Sequence, residues 1–147
     1  RGVFAGKNPY STVIDYVTIA TTGNATNFGS LSVGRGAIGG SCSSSTRGLF
    51  AGGLTGPGVN SNVIDYVTIA TTGNAIDFGD LTFAGYDPVG TSSTVRGVFG
   101  GGFNGVTATS VISYVTIATL GNAASFGNLL SSSYRMGACS NASGGLQ

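Results

Sequence analysis

Apolar positions in this chain fall in short runs, four to a unit, and the clearest run is Val63-Ile64-Asp65-Tyr66-Val67-Thr68-Ile69-Ala70-Thr71. Alternation along a strand sends Ile64, Tyr66, Thr68 and Ala70 to one face and Val63, Asp65, Val67 and Ile69 to the other. Both sets are largely apolar, which predicts a strand covered on both sides. Thr72-Gly73-Asn74 then supplies the positive-φ chemistry of a hairpin turn. A second strand follows, Asn74-Ala75-Ile76-Asp77-Phe78-Gly79-Asp80-Leu81, with a bend or bulge expected at the glycine.

The same stretch stands at Val13–Ala25 and, with Ser113 and Leu120 as its two changes, at Val111–Ala123. Its starts lie 50 and then 48 residues apart. Self-similarity at that period marks a solenoid, propeller or array, whose units cover their apolar faces by stacking. Ahead of each copy runs an apolar strand closed by glycine: RGVFAGK from Arg1, RGLFAGG from Arg47 and RGVFGGG from Arg96. Between this strand and the next lies a segment of Gly, Pro and Asn that reads as loop and differs most among the copies. The remaining stretches, from Gly34, Ala84 and Ser133, are rich in small residues, as an innermost strand crowded about an axis requires. The unit is therefore four antiparallel strands in about 49 residues, in an all-β chain.

The repeats divide as residues 1–34, 35–83 and 84–132 of a single domain spanning 1–147, with a lone inner strand at Tyr134–Ser143. That last strand is the missing first strand of the first unit. Arg1, Arg47 and Arg96 recur at one place and read as structural, bonding carbonyls or stacking between units; Tyr16, Tyr66, Tyr114, Phe28, Phe78 and Phe126 recur likewise.

With Gly52-Gly53 closing one strand, and Arg35 and Arg135 opening the stretch before it, the unit resembles the kelch repeat. The resemblance spans the whole chain at the right period. It departs from the family in having Lys7 at a glycine position, Asp-Tyr for Tyr-Asp, and no Trp. It implies a kelch-like β-propeller of three four-stranded blades per chain. Propellers typically hold four to eight blades, so three call for completion, to six by a second chain or by adjoining blades of a longer polypeptide. The near-identical Gly/Ser-rich arrays also look like repeats in structural proteins of marine bacteriophages, the cyanophages, which implies a virion setting, on a tail or capsid surface.

Composition removes several kinds of chemistry. The chain has no His and no Glu, 27 Gly, six basic and five acidic residues, and a net charge of +1. Without His the commonest general base and transition-metal ligand are missing, so the expectation is a non-enzymatic protein with no cofactor and no metal. The charge gives no reason to expect nucleic acid, and no apolar run is long enough to span a bilayer. Cys42 and Cys139 read as two small buried thiols, with a bridge as the alternative.

Binding remains. In an alternating four-stranded blade the variable loops share one end, and candidate contact residues there are Lys7, Tyr10, Asn60, Tyr86, Phe103 and Asn104. The reading is a structural or recognition module of a virion. A secreted carbohydrate-binding, lectin-like propeller is the alternative, and a kelch-type protein-interaction adaptor is a third. Expected partners are a second copy through strand exchange, other structural proteins, or a surface glycan, in a virion or extracellular location.

Overall fold

A computed structural model describes residues 1–140. The described chain is all-β, and its order of strands follows the repeat. Sheet I comprises β1 (Gly2–Phe4), β2 (Val13–Val17) and β3 (Thr26–Ser30). Sheet II takes β4 (Gly40–Ser43) and β5 (Arg47–Ala51), then, after a small hairpin of β6 (Leu54–Gly56) and β7 (Val59–Asn60), β8 (Val63–Thr68) and β9 (Ile76–Asp80). Sheet III is β10 (Val89–Ser92), β11 (Arg96–Gly100), β12 (Thr109–Thr116) and β13 (Ala124–Ser133). Each is an antiparallel meander in chain order.

Sheet I has three strands among the described residues, in keeping with a first repeat that lacks its small-residue strand. Two details differ from the sequence reading. The strand expected at Tyr134–Ser143 forms no ladder over 134–140, and residues 141–143 lie outside the described part. The loop read after Gly53 also contains the β6–β7 hairpin, because Pro57 and the left-handed Gly58 (φ 70°) make a tight reversal between Gly56 and Val59.

The core lies between sheets. Ile14, Phe28 and Leu31 of sheet I meet Phe50, Val67 and Ala75 of sheet II. Leu49, Ile64, Phe78 and Leu81 of sheet II meet Phe99, Val115 and Ile117 of sheet III. This is the double coverage required by the two apolar faces of the repeated strand.

Polar contacts repeat across both junctions. The Gly73 amide donates to the Phe28 carbonyl (2.8 Å), the Ala75 amide to the Ser30 carbonyl (2.8 Å), and the Ser30 amide to Asn74 Oδ1 (3.1 Å). At the next junction Gly121 donates to Phe78 (2.9 Å), Ala123 to Asp80 (2.7 Å), and the Asp80 amide to Asn122 Oδ1 (3.0 Å). The bulge at Phe28 and Phe78 turns each carbonyl outward toward the neighbouring turn. Gly29 and Gly79 are required there, since a Cβ on either would collide with the turn backbone.

Arg1 and Arg47 also cross the junctions. Arg1 Nη1 donates to the Ile69 carbonyl at 3.0 Å and Arg47 Nη1 to the Ile117 carbonyl at 2.8 Å. Within its own sheet each guanidinium lies over a tyrosine ring: Arg1 over Tyr16, Arg47 over Tyr66 and Arg96 over Tyr114, at 4.6 to 4.9 Å. Those tyrosines meet Phe28, Phe78 and Phe126 edge to face.

Candidate functional site: an aromatic shelf on the variable loops

The loops that differ among the repeats bring together residues from three places in the chain. Tyr86 and Phe103 exchange both backbone hydrogen bonds at 3.0 Å, and their rings lie 5.6 Å apart, edge to face. Phe103 in turn lies 4.9 Å from the ring of Tyr134. Beside them Arg135 Nε donates to Asp87 Oδ2 at 2.7 Å, and the Arg135 guanidinium sits over Tyr134. Asp87 raises the pKa of the exposed Arg135 above its usual value, through its hydrogen bond and charge, and the pair stands at the rim of the shelf.

The polar margin comes from asparagines. Asn104 Oδ1 accepts from the amides of Val106 and Thr107, an Asx turn that holds the loop tip. Asn60, one repeat earlier, donates from Nδ2 to the Asn104 carbonyl at 2.7 Å. The shelf therefore offers aromatic faces, an ion pair and amide groups side by side.

Of the six residues expected on this face, Tyr86, Phe103, Asn60 and Asn104 come together. Lys7 and Tyr10 do not join them. Lys7 pairs with Asp15 in sheet I. Tyr10, at φ 47°, sits half-buried in the first loop with its carbonyl against Gly34.

Tyr134 and Arg135 complete the shelf and were read differently in the sequence. Taking Arg135 as the counterpart of Arg35 placed it two residues out of step. The left-handed residues settle the register: Ala37, Asp87 and Arg135 have φ of 53°, 51° and 54°, and each amide donates to the carbonyl of the one before, Asp87 to Ala37 and Arg135 to Asp87. The counterparts of Arg35 are thus Gly85 and Ser133, and Tyr134 corresponds to Tyr86. The 48-residue offset between Val63 and Val111 carried this information already.

Arg35 itself lies fully buried in sheet II, donating to the carbonyls of Gly52 (2.9 Å) and Val63 (2.5 Å) and to Asp65 Oδ2 (2.7 Å). Burial lowers its pKa and Asp65 opposes the shift. Cys42 and Cys139 are both free thiols. Cys42 faces Gly97 of sheet III, and burial pushes its pKa up to about 12. Among the described residues no three of His, Cys, Asp and Glu lie close enough together to hold a metal ion, and no helix is long and apolar enough to cross a membrane.

No protein-family model matches this chain, and no curated protein matches it.

Proposed function

We propose that this chain is a non-enzymatic display module, a kelch-like propeller segment of three blades whose rigid stack presents variable loops to a partner on or outside a virion. The observation that carries the reading is the division of labour within each repeat. Residues that recur, such as Arg47, Phe78 and Asn74, are spent on sheet-to-sheet contacts. Residues that differ, such as Phe103 and Asn104, gather at the loops. A scaffold that holds its frame constant while its loops change is suited to recognition.

Carbohydrate is the second reading, favoured by the shelf itself. Aromatic faces bordered by amide and charged groups suit the apolar face and the hydroxyls of a sugar ring. A glycan array probed with the chain separates the two. Specific binding that Phe103→Ala abolishes, in a variant that still unfolds cooperatively, supports the lectin. Silence across the array favours a module that meets protein. Binding that survives Phe103→Ala would remove the shelf from either account.

A further inference from the structure

Sheets I and III end the stack with faces that are the two halves of one junction. Phe28 and Phe78 are each 2 % exposed because the next sheet covers them, whereas their counterpart Phe126 is 54 % exposed. On the opposite side Phe50 and Phe99 are 6 % and 2 % exposed, and their counterpart Phe4 is 55 % exposed. At the two junctions within the chain, Phe28 shares a cluster with Phe50 and Phe78 shares one with Phe99.

The polar half-contacts follow the same rule. Nothing lies within 4 Å of a Cβ built at Gly127, whereas at its counterparts Gly29 and Gly79 the Cβ would collide with the turn of the next sheet. Among the described residues Arg96 makes the tyrosine contact of Arg1 and Arg47 but not their bond to a neighbouring isoleucine carbonyl, and the matching residue, Ile19, is 75 % exposed.

A groove of about 330 Å³ runs between the free edge of β1 and the face of β4, lined by Gly2, Val3, Ser41, Cys42 and Leu49 among others. In sheets II and III that place beside the corresponding strand holds β4 and β10. The chain carries a third segment of this kind. Ser92 Oγ donates to the Ser43 carbonyl at 2.8 Å, and one repeat on Ser140 Oγ donates to the Ser92 carbonyl at 2.6 Å. Cys139 therefore occupies the position of Cys42, and it is exposed.

We propose that a second copy of this chain docks head to tail, the Phe126 face of sheet III against the partner's Phe4 face, with the segment ending at Ser140 seated in the partner's β1–β4 groove. The proposal deepens the scaffold reading by naming its partner, and it does not depend on what the loops bind. Such a heterologous contact gives a ring when the rotation closes. Multiples of three sheets fall within the usual range of four to eight only at six, so two copies close it. In that ring Cys139 lies opposite Val3 of the other copy, as Cys42 lies opposite Leu49 in sheet II.

Light scattering of the full chain reads the result. The expected mass is twice 14.5 kDa, falling to 14.5 kDa in Phe126→Asp and in Phe4→Asp, while Val106→Asp, at an 82 % exposed loop position, stays at the doubled mass. Cys139 is expected to lose its reactivity toward maleimide in the wild type and regain it in Phe126→Asp. Val3→Cys tests the register without opposing charge: under oxidation it is expected to form a covalent dimer with Cys139. A wild-type monomer at 14.5 kDa with reactive Cys139, or a dimer that Val3→Cys fails to cross-link, overturns the proposal. Glycan binding with a monomeric mass would sink this inference and leave the display reading standing.

Discussion

Arg35 and Asp65 form an ion pair, 2.7 Å from Nη2 to Oδ2, with both side chains wholly buried in sheet II. The corresponding places in sheet III are Gly85 and Ser113, and the ring of Phe83 lies where a side chain at 85 would extend. Ser113 instead shares a hydrogen bond with Thr82 at 2.5 Å. In sheet I the aspartate persists as Asp15 and Lys7 supplies the cation. The buried site is thus filled differently in sheets II and III, and in sheet I the pair that replaces it is partly exposed.

Removing one partner leaves an uncompensated buried charge, so Arg35→Met or Asp65→Ala is expected to cost about 3–5 kcal/mol in denaturant unfolding. Copying sheet III through Val33→Phe, Arg35→Gly and Asp65→Ser together is expected to recover most of that loss, because a packed apolar site can equal a buried pair. A triple variant no better than the worst single one would show that the two sites are not interchangeable.

Cys42 makes stability depend on alkaline pH. Its thiol is raised to about 12 by burial against the next sheet, from an unfolded value of about 8.5. A raised folded pKa favours the protonated form, so its contribution is full below about pH 8.5 and is lost as pH climbs toward 12. The loss is at most about 5 kcal/mol. Chemical unfolding from about pH 8 upward, near the ordinary thiol pKa of about 8.5, is expected to fall more steeply in the wild type than in Cys42→Ala. Equal slopes in wild type and Cys42→Ala would contradict the burial.

Much of this fold was legible because the pattern was redundant. The two apolar faces of Val63–Thr68 demanded cover on both sides, and the neighbouring sheets supply it. A bend or bulge was legible from Gly79, which has a counterpart in each repeat, and the ladder is interrupted at Phe78 beside it. Register was harder where small residues carried no pattern. Between Gly34 and Ser43 only the left-handed residues and the serine ladder fix the alignment, and Ala37, Asp87 and Arg135 share a conformation but no chemistry. The shelf was half legible for the same reason: aromatic loop residues announced themselves, but Tyr134 joined them only once the third repeat was aligned at its own offset.

Phe103 is the centre of that shelf, in ring contact with both Tyr86 and Tyr134, yet Tyr134 remains 38 % exposed. Tyr134→Ala is therefore expected to cost no more than about 1 kcal/mol, near the value of an aromatic pair. Phe103→Ala removes two such pairs and is expected to cost about 1–3 kcal/mol. Thermal unfolding of both variants measures the difference. A larger loss at Tyr134 than at Phe103 would place Tyr134 in the core rather than on the binding face.

Gly79 and Gly127 offer the sharpest test of how the sheets meet. Their backbones are nearly the same, φ 142° and 151°, so a side chain strains both locally to a similar degree. Their surroundings differ. A Cβ at Gly79 runs into the Gly121–Asn122 backbone, while a Cβ at Gly127 meets nothing within 4 Å. Gly79→Ala must therefore push apart two sheets joined by the Gly121–Phe78 and Ala123–Asp80 hydrogen bonds. Measured in a Phe126→Asp background, which keeps any second copy away from Gly127, Gly127→Ala is expected to cost about 1–3 kcal/mol for backbone strain alone. Gly79→Ala is expected to add about 1–3 kcal/mol beyond that for overpacking. The excess isolates the close approach, since the strain cancels in the difference. Equal costs at the two glycines would mean that the turn of one sheet does not rest on the bulge of the last, and the repeated junction described above would be wrong.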